Sequence, residues 1–158
     1  MGLLDMTYLL IKWLHIISAT IVFGTGLGSA FYMFAANRRK NIVTIAEVVS
    51  LVVVADFIFT TPAFIVQVIT GLALAHVTGT PLFEGWLFYA LMLIAFAGVC
   101  WLPVVWMQVK MRDIARAAVQ DGTVLPPLYW RMERWWTILG ALAFPAFIMV
   151  FYLMVVRP

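Results

Sequence analysis

Leu10-Ile11-Lys12-Trp13-Leu14-His15-Ile16-Ile17 lies inside an apolar run that reaches from Thr7 to Ala36. An α-helix needs roughly 20 residues to cross a hydrocarbon core of about 30 Å, and this run exceeds that length. Inside lipid a segment must satisfy its own backbone N–H and C=O groups, so the run reads as a membrane-spanning helix. Lys12 and His15 are one helical turn apart and share a face. Ionisable side chains in a span face the bundle interior or a pathway, which makes this pair the leading candidate site.

The rest of the chain has the same character. Hydrophobic residues make up 65% of its 158 residues and charged residues 11%, with a mean hydropathy of +1.05. Soluble domains carry about 45–50% apolar and about 25% charged residues. A soluble chain this apolar could not cover its own surface, so lipid is the solvent. Three further runs follow at Asp56–Val77, Trp86–Met111 and Trp135–Val156. The expectation is an all-α, polytopic four-transmembrane-helix bundle, one domain over residues 1–158, surrounded by the lipid bilayer. No basic segment precedes the first run, which is also too long for a cleaved signal peptide, so it is expected to be retained. In the connection Asn37–Ala55, the stretch Ile42–Val49 reads as an interfacial helix or as an extension of the second span, and one long element bent near Thr60-Thr61-Pro62 is favoured. Thr78-Gly79-Thr80-Pro81 predicts a short turn and Asp121 to Pro127 a polar hairpin.

Charge orients the bundle. Arg38, Arg39, Lys40, Lys110, Arg112, Arg116, Arg131 and Arg134 flank two connections, whereas Lys12 and Arg157 lie toward the opposite side. Positive residues gather on the cytoplasmic side, so both basic loops are expected inside and both termini outside. The same bias accounts for an isoelectric point near 9.3 without nucleic acid as a partner. Cys100 is the single cysteine, which leaves no intramolecular disulfide.

Orientation also sets depth. His15 and His76 each stand about 21 residues from the basic boundary of their spans, or roughly 30 Å at 1.5 Å per residue. Two imidazoles facing one another on adjacent helices are the usual means of holding haem b without covalent attachment. His15 and His76 are therefore candidate axial ligands, the metal-binding and cofactor-binding pair. A second reading of His76 stands beside this one: a helix end meeting headgroups, favoured by the helix dipole. Lys12 could pair with a haem propionate or another anion, but its stem is also long enough to snorkel to the interface, and the balance lies with snorkelling.

Asp56, Thr60, Ala63, Gln67 and Thr70 fall within about 40° of a common direction on the second span. Gln67 is expected to make an interhelical hydrogen bond. Asp56 is expected at the cytoplasmic interface, capping the helix or pairing with Arg38 or Arg39. Gly24 and Gly28 form a small-xxx-small pair suited to close backbone approach. Gly26 and Ser29 share the His15 face and leave a groove, most simply filled by a neighbouring helix. Pro62, Pro103 and Pro145 place a proline in each of the last three spans. The tryptophans, Trp135 and Trp136 among them, read mostly as interface anchors.

Several stretches carry a resemblance: Lys12-Trp13-Leu14-His15, Thr61-Pro62-Ala63 with Thr70-Gly71, Cys100-Trp101-Leu102-Pro103-Val104-Val105-Trp106, Lys110-Met111-Arg112-Asp113, and Leu153-Met154-Val155-Val156-Arg157-Pro158. Together they resemble the DUF2269 family of predicted integral membrane proteins over nearly the whole chain. The first span is also similar to that of HemJ-type protoporphyrinogen oxidases, and more distantly to CopD-type copper proteins. The HemJ likeness implies a haem role for the histidine of a Lys-x-x-His setting, here His15, in a multi-pass protein of the bacterial inner membrane. Two functions follow. One is a haem b protein exchanging electrons near the outer leaflet; the other is a cofactor-free accessory or transport subunit. A bundle with so few polar groups is expected to associate as a homo-oligomer or with another membrane subunit.

Overall fold

The computed structural model describes residues 3–156, so Arg157 lies outside the described residues. The elements are α1 (Leu3–Arg39), α2 (Ile42–Ala55), a π turn (Asp56–Thr60), α3 (Thr61–Thr78), α4 (Gly85–Gln120) and α5 (Pro127–Val156). Four helical stretches are long and apolar enough to cross a membrane: Asp5–Arg39, Ile42–Thr78, Gly85–Gln120 and Pro127–Val156. No strand occurs among the described residues.

The second stretch is one continuous element, as its sequence predicts, and its irregularity is the π turn. Pro62 has no N–H for the carbonyl of Ile58, and its ring would crowd that carbonyl in a regular helix. The chain accommodates the conflict by widening one turn: the N–H of Thr61 bonds the Asp56 carbonyl five residues back. The helices also run past the expected span ends. α4 has 36 residues, about 54 Å at 1.5 Å per residue, against a hydrocarbon core of about 30 Å. Helical hydrogen bonding does not stop where the apolar run stops, so Arg112–Gln120 and Pro127–Arg134 continue as a helical extension at the basic end.

That basic end holds the tightest packing. Met33, Ile45, Val49, Met111 and Tyr129 are fully buried there. On α4 the buried residues Ala97, Cys100, Val104, Met107, Met111, Ala115 and Ala118 recur every three or four positions, the spacing of a helix-packing seam. Tyr129 Oη donates to Asn37 Oδ1 at 2.8 Å, joining the basic ends of α1 and α5. The turns are compact. Gly79 (φ +65°) and Gly122 (φ +62°) end α3 and α4, each followed by an N–H bonded back to the carbonyl five residues earlier, Thr80 to Ala75 and Thr123 to Ala118, both 2.9 Å. That is the Schellman closure, and its left-handed residue suits glycine.

Helices pair as α1 with α3 and α4 with α5, and α2 against α4 ties the pairs together at the basic end. The pairs are also bridged by rings: Phe64 with Trp101 at 5.5 Å, and Phe23 with Phe144 at 4.9 Å. Two cavities lie between the pairs, about 410 Å³ toward the termini and about 330 Å³ toward the basic end. Val22, Phe64 and Phe147 line both. No helix of the same chain makes the expected close approach: a Cβ on Gly24, Gly26 or Gly28 would meet nothing within 4 Å. Gly26 and Ser29 border the basic-end cavity, so their groove is open rather than filled by a helix.

Candidate functional site

His15 sits half-buried on α1, with its ring edge against α3. Nδ1 lies 2.9 Å from Thr70 Oγ1 and Nε2 lies 3.0 Å from Gln67 Nε2. Cε1, between the two nitrogens, faces Gly71, where a Cβ would come within 3.1 Å. Glycine at 71 is therefore a packing requirement: it lets the edge of the imidazole approach the helix backbone closely. Proton directions follow from the partners. The Thr70 hydroxyl donates to the Val66 carbonyl at 2.6 Å, so it accepts from Nδ1–H. Nε2 then carries the lone pair and accepts from the Gln67 amide. The Ser18 hydroxyl donates to Gln67 Oε1 at 2.6 Å and closes the network.

This network uses every polar atom of the histidine ring. It binds α1 to α3 with hydrogen bonds among neutral groups, the form of polar contact that holds membrane helices together. Gln67 makes the interhelical bond expected of it. The predicted stripe is the inward face of the second element, with Asp56, Thr60, Ala63 and Thr70 all buried. Ser18 escaped the sequence reading although it lies one turn from His15 on the same face. Gly71 was visible only as part of a motif, because its purpose is fixed by a ring on another helix.

His76 lies elsewhere. It is exposed on the last turn of α3, and its carbonyl accepts from the N–H of Gly79 at 3.2 Å. It does not line the cavity that His15 borders. Thr70, which meets His15, precedes His76 by six residues, about 9 Å along the helix. The two histidines stand at different depths because Asp56 is not the boundary of its span: the helix continues to Ile42, and Asp56 lies inside the bundle. The geometry is that of a helix end, not of a bis-histidine pair. Among the described residues no three His, Cys, Asp or Glu side chains group to hold a metal ion. Lys12 is exposed, with Nζ 5.6 Å from the centre of the Tyr8 ring, and both residues line the termini-side cavity with His15. Its walls are otherwise largely apolar, including Ile16, Val68, Leu91, Phe147 and Phe151.

Asp56 does not pair with Arg38 or Arg39 as expected. It is 4% exposed, accepts from the Thr60 hydroxyl at 2.8 Å and is hydrogen-bonded by the Gln108 side chain. The Arg38 guanidinium instead lies over the Phe34 ring at 4.9 Å. The wide π turn sets Asp56 and Thr60 one above the other on the buried side. Trp136, read as an interface anchor, is buried at 6% exposure, whereas Trp135 is exposed.

Four apolar helices, lipid-facing side chains on most of their surface, and polar groups confined to helix contacts and cavities define an integral, multi-pass membrane protein. The chain belongs to the DUF2269 family, described as predicted integral membrane proteins, whose model matches residues 9–158. No curated protein and no solved structure matches it. The likeness to HemJ-type oxidases therefore rests on the Lys12–His15 segment alone.

Proposed function

We propose that this protein is an accessory or transport protein that holds an amphipathic anion, such as a long-chain carboxylate, in its termini-side cavity. The observation that carries this reading is the cavity itself. Its volume of about 410 Å³ lies in the range of ligand pockets, roughly 300–1,000 Å³. An acyl tail suits the aliphatic and aromatic walls, and the Lys12 ammonium supplies a cation for the head group. The His15–Gln67–Ser18–Thr70 network braces one wall and asks nothing of the ligand. The positive-inside bias supports a bacterial cytoplasmic membrane with the basic end in the cytoplasm and this cavity toward the outer leaflet.

Binding of cis-parinarate, a fluorescent long-chain carboxylate, to the purified protein in nonionic detergent tests this. The native protein is expected to bind saturably. Lys12→Gln weakens binding several-fold, and Ala19→Trp, which fills the cavity, removes it. Equal binding by all three proteins would contradict the reading.

One observation favours a second reading, haem b held by His15 alone. Thr70 fixes the tautomer that leaves a lone pair on Nε2, the arrangement found in metal-ligating histidines. As the residues stand, however, both ring nitrogens serve α3, so the Gln67 amide would have to leave before iron could approach. Haem, when bound, would supply one-electron chemistry, with Lys12 available to a propionate. A Soret band that His15→Ala abolishes and His76→Ala leaves intact is the result this reading requires.

A further inference from the structure

We infer that the basic-end cavity beside Asp56 is a binding site for a lipophilic organic ammonium ion that also carries a hydrogen-bond acceptor. The inference stands apart from the termini-side cavity and does not depend on what binds there. The cavity, about 330 Å³, is walled by Phe64, Trp101, Val104 and Phe144, and no Lys, Arg or His lines it. One carboxylate, Asp56, borders this apolar space. Its partners are a hydroxyl and an amide, neither of which carries a positive charge. A carboxylate has about four lone-pair sites, so two donors leave capacity unused. A buried carboxylate without a counter-charge is costly, and a cation offsets that cost.

Three more polar atoms on the same lining are buried without a partner: Gln108 Oε1, Trp136 Nε1 and Thr137 Oγ1. Gln108 is 3% exposed and Trp136 6%, so water at the surface does not satisfy them. Buried unpaired groups are uncommon, and three around one chamber call for a common partner. Their chemistry describes it. Asp56 and Gln108 Oε1 accept hydrogen bonds and suit an N–H-bearing cation. Trp136 Nε1 only donates, and the Thr137 hydroxyl can also donate, so the molecule must carry an acceptor as well. Phe64, Trp101 and Phe144 line the space for an apolar body and supply aromatic rings for a cation.

Tyramine has this pattern, with an ammonium at one end, a phenolic oxygen at the other and a ring between. Tyrosol replaces the ammonium with a hydroxyl and serves as the uncharged control. Titration calorimetry on the purified full-length protein in detergent is expected to show tyramine binding at least about tenfold tighter than tyrosol. Asp56→Asn has nearly the same shape, keeps one acceptor oxygen for Thr60 and removes the charge, and should weaken tyramine at least about tenfold. Gly140→Leu serves as the independent variant. Gly140 lines this cavity, and a Cβ there meets nothing within 4 Å, so the added side chain enters the empty space and blocks binding without touching Asp56. The inference is overturned if native protein fails to bind tyramine, if tyrosol binds equally, or if sodium chloride alone gives the saturable, Asp56-dependent heat. Unchanged tyramine affinity in either folded variant overturns it too.

Discussion

At Gly71 a single missing methyl group decides how two helices meet. A Cβ there would press on His15 Cε1 at 3.1 Å, so Gly71→Val must push the imidazole off Thr70 and Gln67. Overpacking of this kind costs about 1–3 kcal/mol, which thermal unfolding in detergent will register. A double-mutant cycle between His15→Ala and Gln67→Ala should return a coupling of about 0.6–1.7 kcal/mol, the range for hydrogen bonds between membrane helices. Zero coupling would mean that the two side chains do not bond in the membrane. The sequence made His15 conspicuous, because a histidine in an apolar run has to find a partner. It did not reveal which partner. That choice depends on the depth of one helix against another, and a depth counted from Asp56 puts His76 where Gly71 lies.

On the scale of elements, the continuity of Ile42–Thr78 was legible because Glu47, Asp56 and His76 are its only ionisable residues. Pro62 marked an irregularity, but a π turn rather than a bend was beyond local reading. Its form depends on burying Asp56 and Thr60 together against Gln108. The helical extension at the basic end was missed for another reason: polar side chains hide a helix whose buried seam lies on one narrow face. Tyr129 and Asn37 lock that extension. Tyr129→Phe strips the donor from a buried amide oxygen, and an unsatisfied buried acceptor costs about 1–3 kcal/mol. The expected result is a lowered unfolding midpoint for the purified protein. An unchanged midpoint would show that Asn37 finds water instead.

The whole molecule is two helix pairs joined at the basic end, with cavities between them. The four spans were readable from composition and length alone. The cavities were not, since they arise from how the pairs diverge, and the ring contacts that bridge them join residues distant in sequence. The proposed orientation belongs to this scale and rests on the eight basic residues that flank two connections. Reporters fused after Arg39 or near Gln120 should report the cytoplasm, and one fused after Pro158 the opposite compartment. A cytoplasmic C-terminal reporter would reverse the bundle.

The occupancy of the termini-side cavity is tested most directly by photocrosslinking a diazirine-bearing palmitate to the native protein and mapping the modified residues by mass spectrometry. The account predicts labels on the half-buried cavity residues Leu91, Phe147 or Phe151, lost in Ala19→Trp. Labels confined to exposed, lipid-facing residues such as Leu10, Ile69 and Leu142, or a pattern that Ala19→Trp leaves unchanged, would contradict it.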